Sequence, residues 1–162
     1  MLQAEQFWRY SLRVYGASDV KQLCLSLQDQ HGLNVNMLLL CGFLHQADIS
    51  LSVKQFESLN AGMSQLNAQT KALRSERQKI TDKSAVAYKS LLAQELSLEQ
   101  RQQHCLIEQL NGFSFEQHMG SNFEVYAQSS GLLLSQALQT SLLSLQKLLS
   151  PLEDQNRVPT DT

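Results

Sequence analysis

The fold is decided by residues 35–47, which read VNMLLLCGFLHQA. A helix built from this stretch has apolar side chains on every side, and a helix that is apolar all round is buried all round. The stretch is shorter than the roughly 18 apolar residues that a membrane span needs. Asn34, directly before it, is a favoured helix N-cap. We therefore predict that residues 35–47 form a buried central helix.

The segments on either side of this helix also have helical spacing, because their apolar residues recur three or four positions apart. Nothing alternates as a strand does, and no internal repeat is visible. Two details stay open, namely a kink or break at 60–62 and a division of the last segment at Gly131. The other predicted helices lie at about 3–15, 18–31, 52–73, 82–110 and 122–150.

This pattern predicts the all-α class, as a single compact bundle of six or seven helices. A chain of 162 residues is long enough to bury a core without a metal or disulfide. The 30 Leu against only 2 Pro and 7 Gly exclude collagen-like and disordered classes. We expect one domain over residues 1–152 and a disordered tail over 153–162. Pro151 is expected to end the last helix.

The first helices carry a pattern of aromatic and leucine residues that is typical of a known family. It reads Phe7-Trp8-x-Tyr10-Ser11, Tyr15, Val20, Cys24-Leu25-x-Leu27-Gln28, Gly32, Val35-Asn36 and Leu38-Leu39-Leu40. This resembles an uncharacterised bacterial family of small all-helical proteins, a domain of unknown function, mainly over residues 7–44. The resemblance implies an all-helical bacterial protein. It implies no activity and no catalytic residues.

The aromatic residues of the first helix are candidates for ligand or partner contact. Trp8, Tyr10 and Tyr15 could line a pocket or anchor an interface, where Trp and Tyr dominate the binding energy. They could equally dock the helix on the core, with each polar tip hydrogen-bonded or wet. We favour the core interpretation, since aromatic stripes at helical spacing usually pack inward. Tyr10 lies between the two faces, so we expect it to be the most exposed.

Two cysteines and a histidine are the next candidates. Cys41 and His45 are one helical turn apart, and a hairpin would bring Cys24 to a similar height, which could begin a zinc site. No fourth ligand and no Cys-x-x-Cys spacing accompany them, so we predict core thiols, no metal and no cofactor. The alternative is a helical pocket protein, either an enzyme or a small-molecule binder, near Trp8, Tyr15, Cys41 and His45.

Charge is concentrated in the middle of the chain, where residues 68–101 carry a net charge of +3. Arg74 and Arg77 in this block could contact phosphate or an acidic partner. The pI of about 6.1 and the lack of a recognition-helix motif argue against nucleic acid. We expect these bases to form a solvated helix end, and Glu95 and Glu99 to form an exposed acidic edge.

The sequence favours a non-enzymatic helical interaction or adaptor protein. No phosphate-binding loop, nucleophile elbow or other catalytic constellation is visible. Charged residues are only 17%, while 21 Gln and 19 Ser make a surface that repels little. We therefore expect a protein partner or a homodimer. The odd count of three cysteines and an N-terminus unlike a secretory signal predict a cytoplasmic protein. No apolar run approaches the roughly 18 residues of a membrane span, so we expect no transmembrane segment.

Overall fold

The computed structural model describes residues 1–115 and 120–150. This part of the chain is folded into seven α-helices and has no strand, so the predicted all-α class is confirmed. The tail predicted at 153–162 lies outside the described residues, as does Pro151. The helices are α1 Ala4–Tyr15, α2 Ser18–His31, α3 Val35–Gln46, α4 Val53–Gln78, α5 Val86–Asn111, α6 Asn122–Ser129 and α7 Gln136–Leu149.

Helix ends in the first half of the chain follow from local capping chemistry. The Asn34 side chain accepts a hydrogen bond from the backbone N–H of Met37, which satisfies one of the free donors at the start of α3. Ser52 and Gln55 form a reciprocal capping box before α4, with distances of 3.0 and 3.2 Å. Gly32 ends α2 with a φ of 69°, which favours glycine. These predicted ends are confirmed.

Two predicted helix bounds in the middle of the chain are wrong. Helix α4 continues to Gln78 instead of ending near residue 73, and the open question at residues 60–62 is answered by a helix that runs through them without a break. Helix α5 begins at Val86 instead of Asp82. The Asp82 carboxylate accepts hydrogen bonds from the N–H and the hydroxyl of Ser84, so it closes a local turn and does not cap a helix.

Helix α6 begins at residue 122 as predicted, whereas the start of α7 was not predicted. Ser121 precedes α6, but its hydroxyl donates to the Gln146 side chain on α7 and makes no cap. Gly131 has a φ of 78° and does divide the segment. Helix α7 begins only after Ser135, whose hydroxyl accepts a hydrogen bond from the N–H of Leu138.

The chain divides into two compact units. The first unit contains residues 1–8 and 58–113, and the second contains residues 9–57 and those from 114 onward. Within the second unit, α2 packs against α3 and α7, while α6 packs against α3 and α7. Its buried side chains are almost entirely apolar, and helix α3 supplies the largest share of them.

Helix α3 is buried over residues 36–42 and at Leu44, as its sequence predicts, while His45 and Gln46 at its end are exposed. Leu38, Leu40 and Leu44 have no exposed surface. A Cβ at Gly42 would overlap the Tyr10 hydroxyl and would lie 2.8 Å from Cδ1 of Leu149. Glycine is therefore required there by close approach.

The first unit is buried differently, because polar side chains share its interior with apolar ones. Within this unit, the fully buried apolar residues of α4 and α5 are Leu59, Met63, Leu106 and Leu110. Toward the end of α4 and the start of α5, the buried residues are polar: Thr70, Glu95, Gln102 and Gln103. Buried polar groups need partners, so their contacts decide what this region can do.

Candidate functional site

We define the polar seam as the polar side chains that α4 and α5 direct toward each other: Thr70, Arg74, Arg77, Glu95 and Gln102. The three α4 residues are spaced by four and three positions, so they share one face of that helix. The two α5 residues are seven positions apart and share a face as well. Two local periodicities thus place all five groups between the helices.

The charged half of the polar seam is centred on Glu95, which is only 5% exposed. Arg77 donates to both of its carboxylate oxygens, through Nε to Oε2 and through Nη2 to Oε1 at 3.2 Å. Nε of Arg74 lies 3.6 Å from Oε1. The two-pronged Arg–carboxylate pair is a strong arrangement, and the hydrogen bond to Glu95 raises the pKa of Arg77. The buried carboxylate is therefore compensated by cations from α4.

Tyr88 and Glu99 extend this charged half along α5. Nη1 of Arg77 lies 3.5 Å from the Tyr88 hydroxyl, and its guanidinium carbon lies 5.8 Å from the ring centroid. Oε1 of Glu99 lies 3.9 Å from Nη2 of Arg74, and the Glu99 side chain is 39% exposed. Burial raises the pKa of Glu99. Arg74 therefore links the buried carboxylate to a second one at the rim.

The neutral half of the polar seam is a short chain of amide and hydroxyl groups. Nε2 of Gln102 donates to Oδ1 of Asn67 at 3.2 Å and to Oγ1 of Thr70 at 3.1 Å. The Thr70 hydroxyl in turn donates to the carbonyl of Leu66 at 2.8 Å. These groups are paired with one another, so this half joins the helices and offers no reactive atom.

The polar seam determines how α4 and α5 align. Sliding one helix past the other by a turn would break the two-pronged bond between Arg77 and Glu95 together with the hydrogen bond between Gln102 and Thr70, and each such loss between buried polar groups costs about 1–3 kcal/mol. An apolar seam would penalise the same slip much less, since apolar contacts are not directional. We interpret these polar residues as a device for register.

Three sequence-based expectations are corrected by this geometry. Glu95 is buried instead of lying on an exposed edge, and Arg74 and Arg77 are ion-paired instead of forming a solvated helix end. Leu92 and Leu96, which the three-and-four spacing of α5 predicts on one inner stripe with Leu106 and Leu110, are 42% and 50% exposed. The physical reason is that the positive charges of Arg74 and Arg77 compensate the buried carboxylate of Glu95. Because Glu95 occupies the inward face of α5, Leu92 and Leu96 on the neighbouring face are left partly in solvent.

The aromatic candidates on α1 are placed as follows. Tyr10 is 4% exposed, so the prediction that it is the most exposed of the three is wrong. Its ring packs on Phe43 at 5.6 Å, and burial raises the pKa of its hydroxyl, which has no hydrogen-bond partner among the described residues. Trp8 and Tyr15 are half-buried, and the ring centroid of Tyr15 lies 5.9 Å from Nζ of Lys21.

The structure does not bring Cys41 and His45 into a common site. Cys41 is fully buried, donates from Sγ to the Asn122 carbonyl, and has a pKa raised well above the usual value by burial. His45 is exposed. Cys24 is also buried, and burial raises its pKa to about 12. Within residues 1–115 and 120–150, no group of three or more His, Cys, Asp or Glu residues could hold a metal ion.

Sequence reasoning missed Asn122, a buried residue of α6. Its Nδ2 donates to the Ile49 carbonyl at 2.7 Å, and its Oδ1 accepts from the N–H of Leu51 at 2.9 Å. It therefore ties the loop after α3 to α6, and no feature of the local sequence predicts these two hydrogen bonds.

The neutral half of the polar seam could have been predicted from the sequence. Thr70 and Gln102 lie on the same helix faces as the charged residues, and matching polar stripes on consecutive helices indicate a pair.

The fold and the polar seam together define an all-helical protein whose first unit is aligned by a buried polar network. The chain belongs to a family of proteins of unknown function, DUF2390, whose model matches residues 6–106. The predicted resemblance is thus confirmed, and the match extends beyond residues 7–44 to include the whole polar seam. No curated protein and no solved structure matches the chain. None of the described helices is long and apolar enough to cross a membrane.

Proposed function

We propose that this protein is a non-enzymatic helical interaction or adaptor protein, which acts by binding another protein chain or a second copy of itself. One observation carries the proposal. Leu92 and Leu96 on α5 are 42% and 50% exposed, although they belong to the helix that contributes Leu106 and Leu110 to the interior.

Exposed leucines are common singly, but two on adjacent turns of one helix flank make a continuous apolar strip. The polar seam maintains this orientation, because Glu95 takes the inward position that a leucine would otherwise fill. The buried ion pair of Glu95 thus holds α5 in an orientation that leaves an apolar strip exposed, which is the arrangement expected of a binding surface.

The rest of the protein supports a binding role over a catalytic one. Arg74 and Arg77 are the basic residues most suited to bind phosphate, and both are engaged by Glu95. This supports the proposal that nucleic acid is not the partner. Burial of Cys41 and exposure of His45 count against the alternative pocket with Trp8 and Tyr15.

Two further proposals concern the setting of this activity. We propose a bacterial cytoplasm, since the three free cysteines suit a reducing compartment. We also propose that residues 1–152 fold as one domain. Helices α1 and α4 each contain residues of both units, so unfolding either unit would fray a helix of the other.

The proposed function is tested by purifying the tagged chain from its native cell after reversible cross-linking and identifying what is bound by mass spectrometry. The same preparation is examined by native mass spectrometry. A stoichiometric protein partner, or a dimer of the chain, is the expected result. A monomer that carries a small molecule and no protein would overturn the proposal and establish the pocket alternative.

A further inference from the structure

One line of side chains runs the whole length of α5 at alternating spacings of three and four, the heptad pattern of a helix-pairing seam. Its last three members are buried, whereas its first four are partly or fully exposed. The buried members are Gln103, Leu106 and Leu110. We call the open members the α5 flank: Lys89, Leu92, Leu96 and Glu99. The pattern that pairs α5 with its own chain therefore continues where the described residues leave it partly exposed.

We propose that the α5 flank binds the α5 flank of a second copy, with the two helices antiparallel about a two-fold axis that crosses the interface at the height of Gln94 along the helix. This inference rests on the proposed function and deepens it by naming the partner. The members of the flank fall within about 80° of arc on a helix of 3.6 residues per turn, so one facing helix can contact all of them.

The order of residues on the flank is self-complementary in this orientation only. With the axis at Gln94, Lys89 faces Glu99 of the other copy, and Leu92 faces Leu96. Each contact occurs twice, giving two opposite-charge pairs outside two Leu–Leu layers. A parallel pair in register would instead place Lys89 on Lys89 and Glu99 on Glu99, which like-charge repulsion disfavours.

The structure leaves room for this contact. Glu95 points to the polar seam, so the buried ion pair is not disturbed when the flank is covered. Ala93, on the solvent side of the flank, is exposed and small enough for a second helix to approach closely. Gln103, at 1% exposure, ends the open part of the line.

The open part of the line spans about three helical turns. An interface of this size falls at the small end, below about 1,200 Å², where association is transient. The dimer is therefore expected to form and dissociate with concentration.

The first test is analytical ultracentrifugation of the full chain over a wide concentration range. The wild type is expected to shift from monomer to dimer. Leu96→Ser is expected to raise the dissociation constant at least about tenfold, because two leucines per dimer lose their burial. Leu143→Ser is the matched control, since Leu143 on α7 is 51% exposed and Leu96 is 50% exposed. Circular dichroism melts establish that both variants remain folded.

The second test uses charge to establish the antiparallel register. Lys89→Glu alone and Glu99→Lys alone each place like charges opposite each other, so each is expected to be monomeric where the wild type dimerises. An equimolar mixture of the two variants restores both opposite-charge pairs and is expected to form a heterodimer. Glu99→Lys also removes the contact with Arg74. This contact is missing both in the variant alone and in the mixture, so it cannot account for a dimer that forms only in the mixture.

The outcomes separate this inference from the proposed function. A dimer that is insensitive to Leu96→Ser, or variants that do not rescue each other, would overturn the α5 pairing while leaving an interaction protein in place. A wild type that is monomeric at every concentration would also overturn the pairing, and the cross-linking experiment then decides the proposed function by itself. Loss of a different cross-linked protein on Leu96→Ser would assign the flank to that protein and reject the second copy.

Discussion

The two units of this protein solve the problem of burial in opposite ways. The second unit fills its interior with apolar side chains around α3, whereas the first unit places an ion pair and amide groups between α4 and α5. Apolar burial stabilises without direction, while a buried polar network adds little net stability and strongly penalises wrong alignments. The comparison teaches that α3 supplies stability and that the polar seam supplies register.

The largest expected effect is in the second unit. Leu40 has no exposed surface, so Leu40→Ala should lower the free energy of unfolding by about 4 kcal/mol through lost burial and the cavity left behind. Urea denaturation followed by circular dichroism measures this. Leu143→Ala, at a position that is 51% exposed, is the control and should change stability by less than about 1 kcal/mol. Equal effects of the two would contradict an apolar core around α3.

The next prediction separates register from stability in the first unit. Arg77→Met removes the main partner of Glu95 and should destabilise by about 3 kcal/mol, because the carboxylate is 5% exposed and keeps only Arg74 at 3.6 Å. The double variant Arg77→Met/Glu95→Leu should recover most of this loss, since apolar residues can replace a buried ion pair. Denaturant melts of the wild type, the two single variants Arg77→Met and Glu95→Leu, and the double variant give the coupling energy. Additive losses in the double variant would show that the pair itself stabilises the fold.

A smaller effect is expected where α3 meets the α1 tyrosine in the second unit. Gly42→Ala puts a methyl group against the Tyr10 hydroxyl and Leu149, and overpacking of this kind costs about 1–3 kcal/mol. Gly112→Ala is the matched control, because its φ is −89° and the nearest atom to an added Cβ is 3.4 Å away. Thermal melts compare the two. A stable Gly42→Ala protein would mean that Tyr10 has room to move.

The smallest effect concerns the thiols, whose reactivity reports local opening without changing the fold. Burial raises the pKa of Cys24 to about 12 and that of Cys41 well above its usual value, so both should be unreactive toward a thiol reagent at pH 8. Cys105 on α5 is partly exposed and should react alone in the native protein. Mass spectrometry of the labelled protein locates the modified residue. All three should react in urea, and fast native labelling of Cys41 would contradict its burial.

Much of the fold was predictable because it rests on local rules. The spacing of leucines gives helices, and the Asn34 cap and the Ser52–Gln55 box mark two of their starts through contacts a few residues apart. The start of α5 was not predictable in this way. Asp82 has the chemistry of a cap, and only the observed turn at Ser84 shows that its carboxylate is used before the helix begins.

The candidate site was less predictable, because its members are defined by partners distant in sequence. Arg74 and Arg77 were candidates for contact, and both lie in the polar seam. Their partner Glu95 was expected on the surface, since a carboxylate alone belongs in water. Sequence spacing places Leu92, Leu96, Leu106 and Leu110 on one side of α5, but it does not tell which of them another helix covers.

By itself, then, the sequence determined the helices, the all-α class and the burial of α3, because periodicity and capping act over a few residues and an all-apolar helix has no side suited to water. Tertiary structure alone decided that Glu95 lies inside, that Leu92 and Leu96 lie outside, and that Tyr10 packs against Gly42. Each of these depends on a residue brought in from another helix. The free energy of burying a charge or a hydroxyl is set by that neighbour, and the neighbour is known only once the chain has folded.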